Sequence, residues 1–296
     1  MQAAHLVDRG VVKVAGEDAR TFLNGLISTD TLNLKPGAAR FGALLTPQGK
    51  IIADFIVVEA PTRDGGGFFL DIPRTLAKAV VGKFNMYKLR ARVVIEDLSE
   101  TLGVLAVWDG AATTTAGLGY ADPRLPGLGL RIMLPPHRAT EVTAGLGATL
   151  VDAANYEAHR IGLGIPRGGI DFAYGDAFPH ESDMDQLGGV DFAKGCYVGQ
   201  EVVSRMEHRG IARTRAVSVR YEGEAPAAGV AVLAGEREVG KMGSAAAGHG
   251  LALLRLDRVA DALAHGQTLT AGGVVVRPIK PDWARFAFPN GSNAAK

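Results

Sequence analysis

The segment Phe192–Glu201 holds the residues best suited to chemistry, because it contains the chain's only cysteine, Cys196. Apolar residues spaced along the stretch that follows predict a helix beginning just after Cys196. A helix N-terminus and the nearby ammonium of Lys194 would both favour the thiolate, the form that attacks electrophiles and binds metals. Cys196 and Lys194 are therefore the candidate catalytic residues, with a buried structural cysteine as the alternative.

A single thiol limits the chemistry that this segment can perform. An iron-sulfur cluster normally takes about four cysteine thiolates, so the chain cannot hold one alone. Cys196 could be one ligand of a cluster shared with a partner, a redox thiol or a covalent nucleophile, and spacing does not choose among these. The scattered histidines offer no zinc-site spacing, so we expect no stably bound metal in the isolated chain.

Two acidic residues, Asp54 and Glu157, lie in sequence contexts that indicate different roles. Asp54 lies in the apolar run 51–58, where a buried carboxylate needs a donor or a cation nearby, either at a binding site or as a structural contact. Glu157 and Arg160 stand three residues apart on a predicted helix, which indicates an ordinary surface ion pair.

Basic residues cluster twice in the sequence. Either cluster could bind phosphates or carboxylates, although a solvated surface is the commoner explanation. The first cluster comprises Lys83, Lys88, Arg90 and Arg92, and the second comprises Arg205, His208, Arg209, Arg213 and Arg215.

Hydrophobic periodicity predicts the elements that position these residues. Strands and helices alternate with one hairpin through the first half, which indicates an α+β fold with helices packed on a mixed sheet. The predicted elements are a strand at 11–14, a helix containing Ala19, Phe22, Leu23 and Leu26, a hairpin over 41–58 with its turn at 46–49, a strand at 68–72, a helix with the apolar stripe Leu76, Val80, Phe84 and Tyr87, and strands at 93–95 and 102–108.

Composition shifts predict the domain boundaries. Glycine and proline are frequent at 117–136, which we interpret as an internal boundary between two subdomains. After Arg215 the chain consists of short β-prone pieces separated by glycine and proline, a pattern typical of a small β-barrel. The sequence thus predicts one domain over 1–215 and a C-terminal barrel over 216–290.

Charge and hydropathy exclude several classes of protein. The 296 residues carry a net charge of +1, so no global field draws the molecule to nucleic acid or to an anionic membrane. No apolar run approaches the roughly 20 residues of a membrane helix, and the first ten residues lack a signal-peptide pattern. With one cysteine the chain forms no internal disulfide. We expect a cytoplasmic protein and a monomer.

The segment Lys194–Glu201, which reads KGCYVGQE, resembles the signature of the YgfZ family. This family belongs with the folate-dependent aminomethyltransferases of glycine cleavage. The resemblance runs from about residue 10 to beyond 215 and includes the segments VKVAGEDARTFLNGLISTD, LLTPQGKIIADFIV, FNMYKLRARVVIE, YEAHRIGLGIPRGGID and FPHESDMDQLGGVDFAKGCYVGQEVVSRMEHRGIARTR.

The resemblance implies an aminomethyltransferase-like, folate-binding core of two α/β subdomains followed by the barrel. It also implies a tetrahydrofolate cofactor and a role in assembling or maintaining iron-sulfur enzymes, with an A-type iron-sulfur carrier and client enzymes as partners. An effect on tRNA modification would be a downstream consequence of that role. The residues implied for the folate site are Asp54, Tyr87, Arg90, Tyr197, Gln200 and Glu201.

Three functions are compatible with these sequence features. An assembly factor, rather than a classical enzyme, best explains a cysteine in the signature. A tetrahydrofolate-dependent aminomethyl or methyl transferase is the alternative, with Asp54 acting in proton transfer. A non-catalytic RNA-binding module has the least support, because the net charge is near zero and few aromatic residues lie among the basic ones.

Overall fold

The computed structural model describes residues 1–210 and 212–288, apart from the side chain of Asp64. It divides into two compact units. Unit 1 comprises 1–156 and 187–200, and unit 2 comprises 157–186 and the chain from 201 onward. The predicted first domain ran to residue 215, whereas here the segments 157–186 and 201–210 group with the barrel. The segment that carries Cys196 lies in unit 1, the unit that begins the chain.

Unit 1 contains two five-stranded sheets. The strands of the first are β1 (Gln2–Leu6), β7 (Gly103–Trp108), β8 (Leu118–Ala121), β9 (Leu130–Leu134) and β10 (Thr149–Leu150), and those of the second are β2 (Arg9–Ala15), β3 (Ala39–Leu45), β4 (Ile51–Glu59), β5 (Phe68–Pro73) and β6 (Val94–Asp97). The first sheet has the spatial order β10–β1–β7–β9–β8, and the second has the order β3–β4–β5–β2–β6.

Two helices cover the second sheet, α1 (Ala19–Asn24) and α2 (Arg74–Lys88). The core between helices and sheet includes Leu23, Phe55 and Phe84, all essentially inaccessible to solvent. The predicted stripe of α2 is correct through Phe84, but Tyr87 leaves the core and is 37% exposed. The helix thus buries one face and presents its C-terminal end to solvent.

The predicted hairpin is confirmed as β3 and β4, which pair in antiparallel register. Its turn closes through a hydrogen bond from Gly49 N–H to Thr46 O at 2.8 Å. The apolar run of β4 is buried on both faces, as its sequence indicates. The glycine- and proline-rich segment 117–136, in which the sequence predicts an internal boundary, lies instead within a sheet. It forms β8 and β9, which pair with each other and join the first sheet.

Unit 2 is built on six strands, β11 (Thr214–Tyr221), β12 (Ala231–Ala234), β13 (Arg237–Ala246), β14 (His249–Arg255), β15 (Leu269–Ala271) and β16 (Val274–Ile279). They form a closed barrel of spatial order β11–β14–β13–β12–β15–β16. The predicted barrel is thereby confirmed, and the whole fold is α+β. The other helices of the described chain are α3 (Ala139–Gly145) in unit 1, α4 (Ala153–Gly162) and α5 (Gln200–Arg209), which each begin in unit 1 and continue in unit 2, and α6 (Leu256–Ala264) in unit 2.

The barrel interior is filled by small and branched side chains, including Val219, Val232 and Leu254. Helix α6 adds Val259 and Ala262 to this core. In the described part of the chain, every helix is too short or too polar to cross a lipid bilayer.

Candidate functional site

Cys196 lies on a loop that runs from Asp191 to Gly199, and its side chain is exposed. Helix α5 begins only at Gln200, after a turn at Val198 and Gly199. The prediction that a helix starts directly after Cys196 is therefore wrong, because Gly199 has a φ of +84° that interrupts the helical path. The thiol is accessible, but it does not lie in the first turn of a helix.

The ammonium of Lys194 points back into unit 1 and not towards the thiol. It donates hydrogen bonds to three main-chain carbonyl oxygens, those of Asn24 and Ile27 at 2.7 Å and that of Thr29 at 2.8 Å. All three N–H donors of an ammonium are thereby used. Lys194 thus fastens the loop to unit 1, and the effect of its charge on the Cys196 thiolate stays a prediction.

Burial sets the protonation of this lysine. It lowers the pKa of Lys194 to about 8, against the opposing effect of the Asp30 and Asp191 carboxylates. The side chain is thus predominantly cationic at neutral pH, the state that supplies three donors to the three carbonyls. Its ammonium also lies 5.1 Å from the ring centroid of Tyr197, a favourable cation–π contact.

Main-chain and side-chain hydrogen bonds fix the start of the loop. The Asp191 carboxylate accepts from the N–H groups of Ala193 at 3.0 Å and Lys194 at 3.1 Å. The Asp191 N–H donates to Ser28 O at 2.9 Å, and the Ser28 hydroxyl donates to Gly189 O at 2.6 Å. The chain preceding Cys196 is therefore attached to the segment that follows α1.

The end of the loop packs on the β3–β4 hairpin. A Cβ atom added at Gly199 would lie 2.4 Å from the carbonyl oxygen of Thr46, and the positive φ of Gly199 also favours glycine. The Tyr197 N–H donates to the side-chain oxygen of Gln200 at 3.1 Å. Tyr197 is buried, which raises its pKa to about 12. Tyr197 and Gln200 thus shape the loop locally.

Glu201 is 83% exposed and forms an i, i+4 ion pair of 2.7 Å with Arg205 on α5. Such exposed pairs contribute little to stability. The structure therefore gives Glu201 a surface contact.

Asp54 is 5% exposed within β4, as its sequence context indicates. The guanidinium of Arg9 is close enough for the Asp54 charge to act on it. Burial alone would lower the pKa of Arg9, but the carboxylates of Asp71 and Asp54 outweigh burial and raise that pKa. Asp54 therefore borders a buried charged network that the sequence did not reveal.

This network joins the two sheets of unit 1. Asp71 on β5 accepts from Arg9 Nε at 2.5 Å, from the Tyr120 hydroxyl at 2.9 Å and from Arg131 Nη1 at 2.6 Å. Arg131 on β9 also donates to Asp122 at 2.7 Å. Charges from four strands or their ends thus neutralise one another inside the unit.

Ion pairing keeps both carboxyl groups of the network ionised. Burial opposes ionisation, but nearby guanidinium groups outweigh it and lower the pKa of Asp71 and of Asp122. Arg124 completes the network by donating to Asp122 through Nη2 at 2.7 Å and Nε at 3.0 Å. The only sequence signal for it is a set of acids and arginines within or beside apolar strands.

Tyr87 and Arg90 lie at the exposed end of α2. Arg90 makes no ion pair or hydrogen bond in the described part of the chain. Between them Leu89 has a φ of +44° and is 89% exposed. This end of the helix therefore offers unengaged basic and apolar side chains to solvent.

Arg215, a predicted member of the second basic cluster, does not lie at the surface. Arg215 is buried and forms ion pairs with Asp183 at 3.0 Å and Asp185 at 2.8 Å. It therefore belongs to the interior of unit 2 and cannot serve a surface anion site. Burial raises the pKa of Asp183 well above its usual range, although Arg215 opposes this.

One group among the described residues could offer three ligand atoms to a metal. It comprises His180, Asp185 and Glu207, whose ligand atoms lie within 4.8 Å of one another. Both Asp185 oxygens already accept from Arg215, at 2.9 and 2.8 Å. Because a bound cation would compete with this guanidinium, we assign no metal to the group.

The prediction that Glu157 and Arg160 form a pair at the surface is also wrong, because Arg160 is buried. The two residues do pair, at 3.0 Å, but the Arg160 side chain is only 2% exposed. It also contacts Asp171 at 3.0 Å and the Ser244 hydroxyl at 2.9 Å. Arg160 therefore ties α4 and the following segment to strand β13 within unit 2.

Comparison with known proteins identifies the class first. Residues 5–115 match the family described as the GCVT N-terminal domain, and residues 213–286 match the CAF17 C-terminal β-barrel domain. The structure of the glycine cleavage system aminomethyltransferase T from Bartonella henselae superposes with a TM-score of 0.74, covering 97% of this chain and 87% of that one at 16% identity. The chain therefore has the aminomethyltransferase-like fold with a C-terminal barrel.

Sequence relatives then identify the family. The mouse mitochondrial iron-sulfur cluster assembly factor IBA57 is 35% identical, over 93% of this chain and 83% of its own length. The homologue of IBA57 from Mycosarcoma maydis is also 35% identical, over 74% of this chain, but the match spans only 57% of that relative. The chain therefore belongs to the IBA57 family, and the expected placement in the YgfZ family itself is not confirmed.

These relatives contradict the expected cytoplasmic location. The mouse and Mycosarcoma maydis proteins are both named mitochondrial. The cysteine count excludes an internal disulfide, but it does not separate one reducing compartment from another.

Proposed function

We propose that this chain assists the assembly or maintenance of iron-sulfur enzymes, especially [4Fe-4S] enzymes, and that Cys196 is its working thiol. The observation that carries the proposal is an exposed lone thiol on a loop fastened on both sides, by Lys194 before it and by Gly199 after it. The named role of the IBA57 relatives supports it.

The thiol would act as one ligand of a cluster in transit. A cluster normally needs about four thiolates, and this chain has one cysteine. The other ligands must then come from a second protein, for which an A-type iron-sulfur carrier is the proposed partner. The cluster is cargo in this scheme, and a fixed loop keeps the sulfur in position while ligands exchange.

We also propose that unit 1 binds a tetrahydrofolate. The residues available are consistent with such a ligand. The buried Asp54 carboxylate can accept hydrogen bonds from a pterin, and the unengaged guanidinium of Arg90, three residues after Tyr87, can bind a glutamate carboxylate. When bound, the folate would supply a one-carbon carrier or a structural ligand; the chain's own residues hold and orient it.

The experiment is complementation of cells that lack the protein. The activity of a tRNA methylthiotransferase, a [4Fe-4S] enzyme, is measured with the native chain, Cys196→Ser or the control Val275→Ser, which changes an exposed barrel residue. We expect the native chain and the control to restore activity and Cys196→Ser to fail at equal soluble expression. Equal restoration by Cys196→Ser would refute the role of the thiol. An effect on tRNA modification would follow from the client enzyme's cluster.

A one-carbon transferase is the second candidate, favoured by the likeness to aminomethyltransferase T and by the burial of Asp54. It predicts turnover of tetrahydrofolate with an aminomethyl donor, which Asp54→Asn abolishes and Cys196→Ser leaves intact. The assembly proposal predicts no such turnover by the native chain.

A further inference from the structure

Three basic side chains stand in register across three neighbouring strands of the barrel. Strand β11 pairs with β16 on one side and with β14 on the other, and Arg220 lies directly opposite Arg277 in the first pair and His249 in the second. Residues directly opposite each other in antiparallel strands share a face of the sheet. Val219 and Tyr221, which flank Arg220, belong to the barrel core. Side chains alternate along a strand, so the three basic side chains lie on the outer face, and we call them the basic row.

The two arginines of the basic row have little to neutralise them within the chain. Opposed like charges destabilise an antiparallel pair, and Arg220 forms no ion pair or hydrogen bond with any residue that the structure describes. Arg277 contacts Glu222 at 3.4 Å, but the two side chains are 71% and 89% exposed. Such an exposed pair is weak. Both guanidinium groups are therefore available to an anion.

The basic row lines a cavity of about 580 Å³, a size typical of small-molecule sites. Among the described lining residues, Glu222 supplies a negative charge, whereas each arginine supplies a positive one and His249 can supply a third. Ile279 adds an apolar surface to the same cavity. The cavity therefore combines an excess of positive charge with a small apolar contact.

We infer that the basic row binds a small ligand that carries two or more phosphate groups. Guanidinium groups bind phosphate oxygens through paired N–H donors. The row crosses two interstrand spacings, about 10 Å in all, so a single phosphate group would not engage the whole row. The inference does not depend on the proposed function, because it uses no residue assigned there.

The surroundings favour a small molecule over an RNA strand. Single-stranded RNA is typically held by exposed aromatic side chains on which its bases stack. The aromatic residue that lines this cavity, Tyr221, is only 7% exposed and belongs to the barrel core. Ile279 can instead contact the organic part of a phosphorylated small molecule.

Calorimetric titration of the full chain with inorganic tripolyphosphate, ATP and orthophosphate tests the inference, at low salt and without divalent cations. The variants are Arg220→Gln/Arg277→Gln, the conservative Arg220→Lys and the control Arg237→Gln, which removes an exposed arginine from β13. We expect the double variant to bind tripolyphosphate and ATP about tenfold more weakly or worse, because it loses charge-assisted hydrogen bonds. The control should stay within about twofold of the native chain, since screening limits the effect of a distant exposed charge. Arg220→Lys should be intermediate, because it keeps the charge but loses the paired donors.

Ligand-induced stabilisation provides a second measurement. The substituted arginines are exposed, so all variants should fold, and relief of the opposed charges should leave the melting temperature of the double variant unchanged or higher. Tripolyphosphate should raise the melting temperature of the native chain and not that of the double variant. An equal rise in both would contradict the inference.

Other outcomes would also overturn the inference. They are no binding of tripolyphosphate or ATP by the native chain, native affinity in the double variant, an equal loss in Arg237→Gln, or orthophosphate bound as tightly as tripolyphosphate. Binding of single-stranded RNA that the double variant loses, with no binding of either oligophosphate probe, would assign the row to a nucleic-acid backbone instead. Equal affinity for tripolyphosphate and ATP would support recognition through the phosphates alone, and tighter binding of ATP would support an added contact with Ile279.

Discussion

The buried network around Arg131 and the loop around Cys196 are both polar structures in unit 1, but they use their charges differently. In the network, Asp71 and Asp122 meet Arg9, Arg124 and Arg131, and the charged groups are satisfied within the unit. In the loop, Lys194 is satisfied by carbonyls and the Cys196 thiol remains accessible. A charge cluster with complete internal pairing stabilises the fold, whereas a fastened loop with an accessible reactive atom can act on a partner.

The largest effect should come from breaking the network. Arg131→Met leaves two buried carboxylates without a main partner, so the free energy of unfolding should fall by about 3–5 kcal/mol. Urea unfolding measures this loss. The exposed Arg138→Met serves as the control, since Arg138 pairs only at the surface with Glu141, and its unfolding midpoint should not move. A small loss in Arg131→Met would contradict the structural role of the network.

Acid should weaken the same network. Asp71 and Asp122 have pKa values lowered in the folded state. Their contribution is therefore complete above the unfolded pKa of about 3.9 and is lost as the pH falls below it, on the order of 2 kcal/mol for one such carboxyl. Urea unfolding between pH 7 and pH 3 should show this decline. Asp122→Asn, although less stable at pH 7, should decline less; an equally steep decline would exclude Asp122 as a source.

Loss of the Lys194 ammonium should lower the free energy of unfolding by less than loss of Arg131 does. Lys194→Met leaves three carbonyls of buried residues without their donor, so we expect a loss of about 2 kcal/mol. The rate at which Cys196 reacts with a disulfide reagent should change less than about twofold, because the ammonium donates elsewhere. A large fall in that rate with unchanged stability would instead restore Lys194 as the activating group.

The smallest effect should come from the exposed pair on α5. Glu201→Ala removes an i, i+4 contact with Arg205, worth no more than about 0.5 kcal/mol. Added salt should remove most of this difference. A loss above about 1 kcal/mol in thermal or urea unfolding would show that Glu201 has a role beyond its surface pair.

Local patterns were sufficient for much of the fold. The β3–β4 hairpin, the apolar face of α2 through Phe84 and the C-terminal barrel followed from period, turn residues and spacing. The predictions that were wrong concern segments whose structure depends on contacts between residues far apart in the sequence. Glycine and proline at 117–136 indicated a boundary, yet pairing of β9 with β7 makes this segment part of a sheet.

For the candidate site, too, local features could be predicted from the sequence and long-range contacts could not. The sequence marked Asp54 as a buried acid, which is confirmed, and Cys196 as a candidate reactive group, which stays a prediction. It did not show where the ammonium of Lys194 would point, because its acceptors lie more than 160 residues earlier in the chain. Arg160 and Arg215 were likewise interpreted as surface charges, since their buried partners are brought to them only by folding.

The sequence by itself determined that the chain has a single thiol, which cannot hold a cluster alone, and it determined the β3–β4 hairpin, the apolar face of α2 through Phe84 and the C-terminal barrel. Only the tertiary structure decided which charges are neutralised internally and which side chains remain available. The physical reason is that helices and strands follow from residues a few positions apart, whereas burial and ion pairing depend on residues from distant strands that meet in the folded chain.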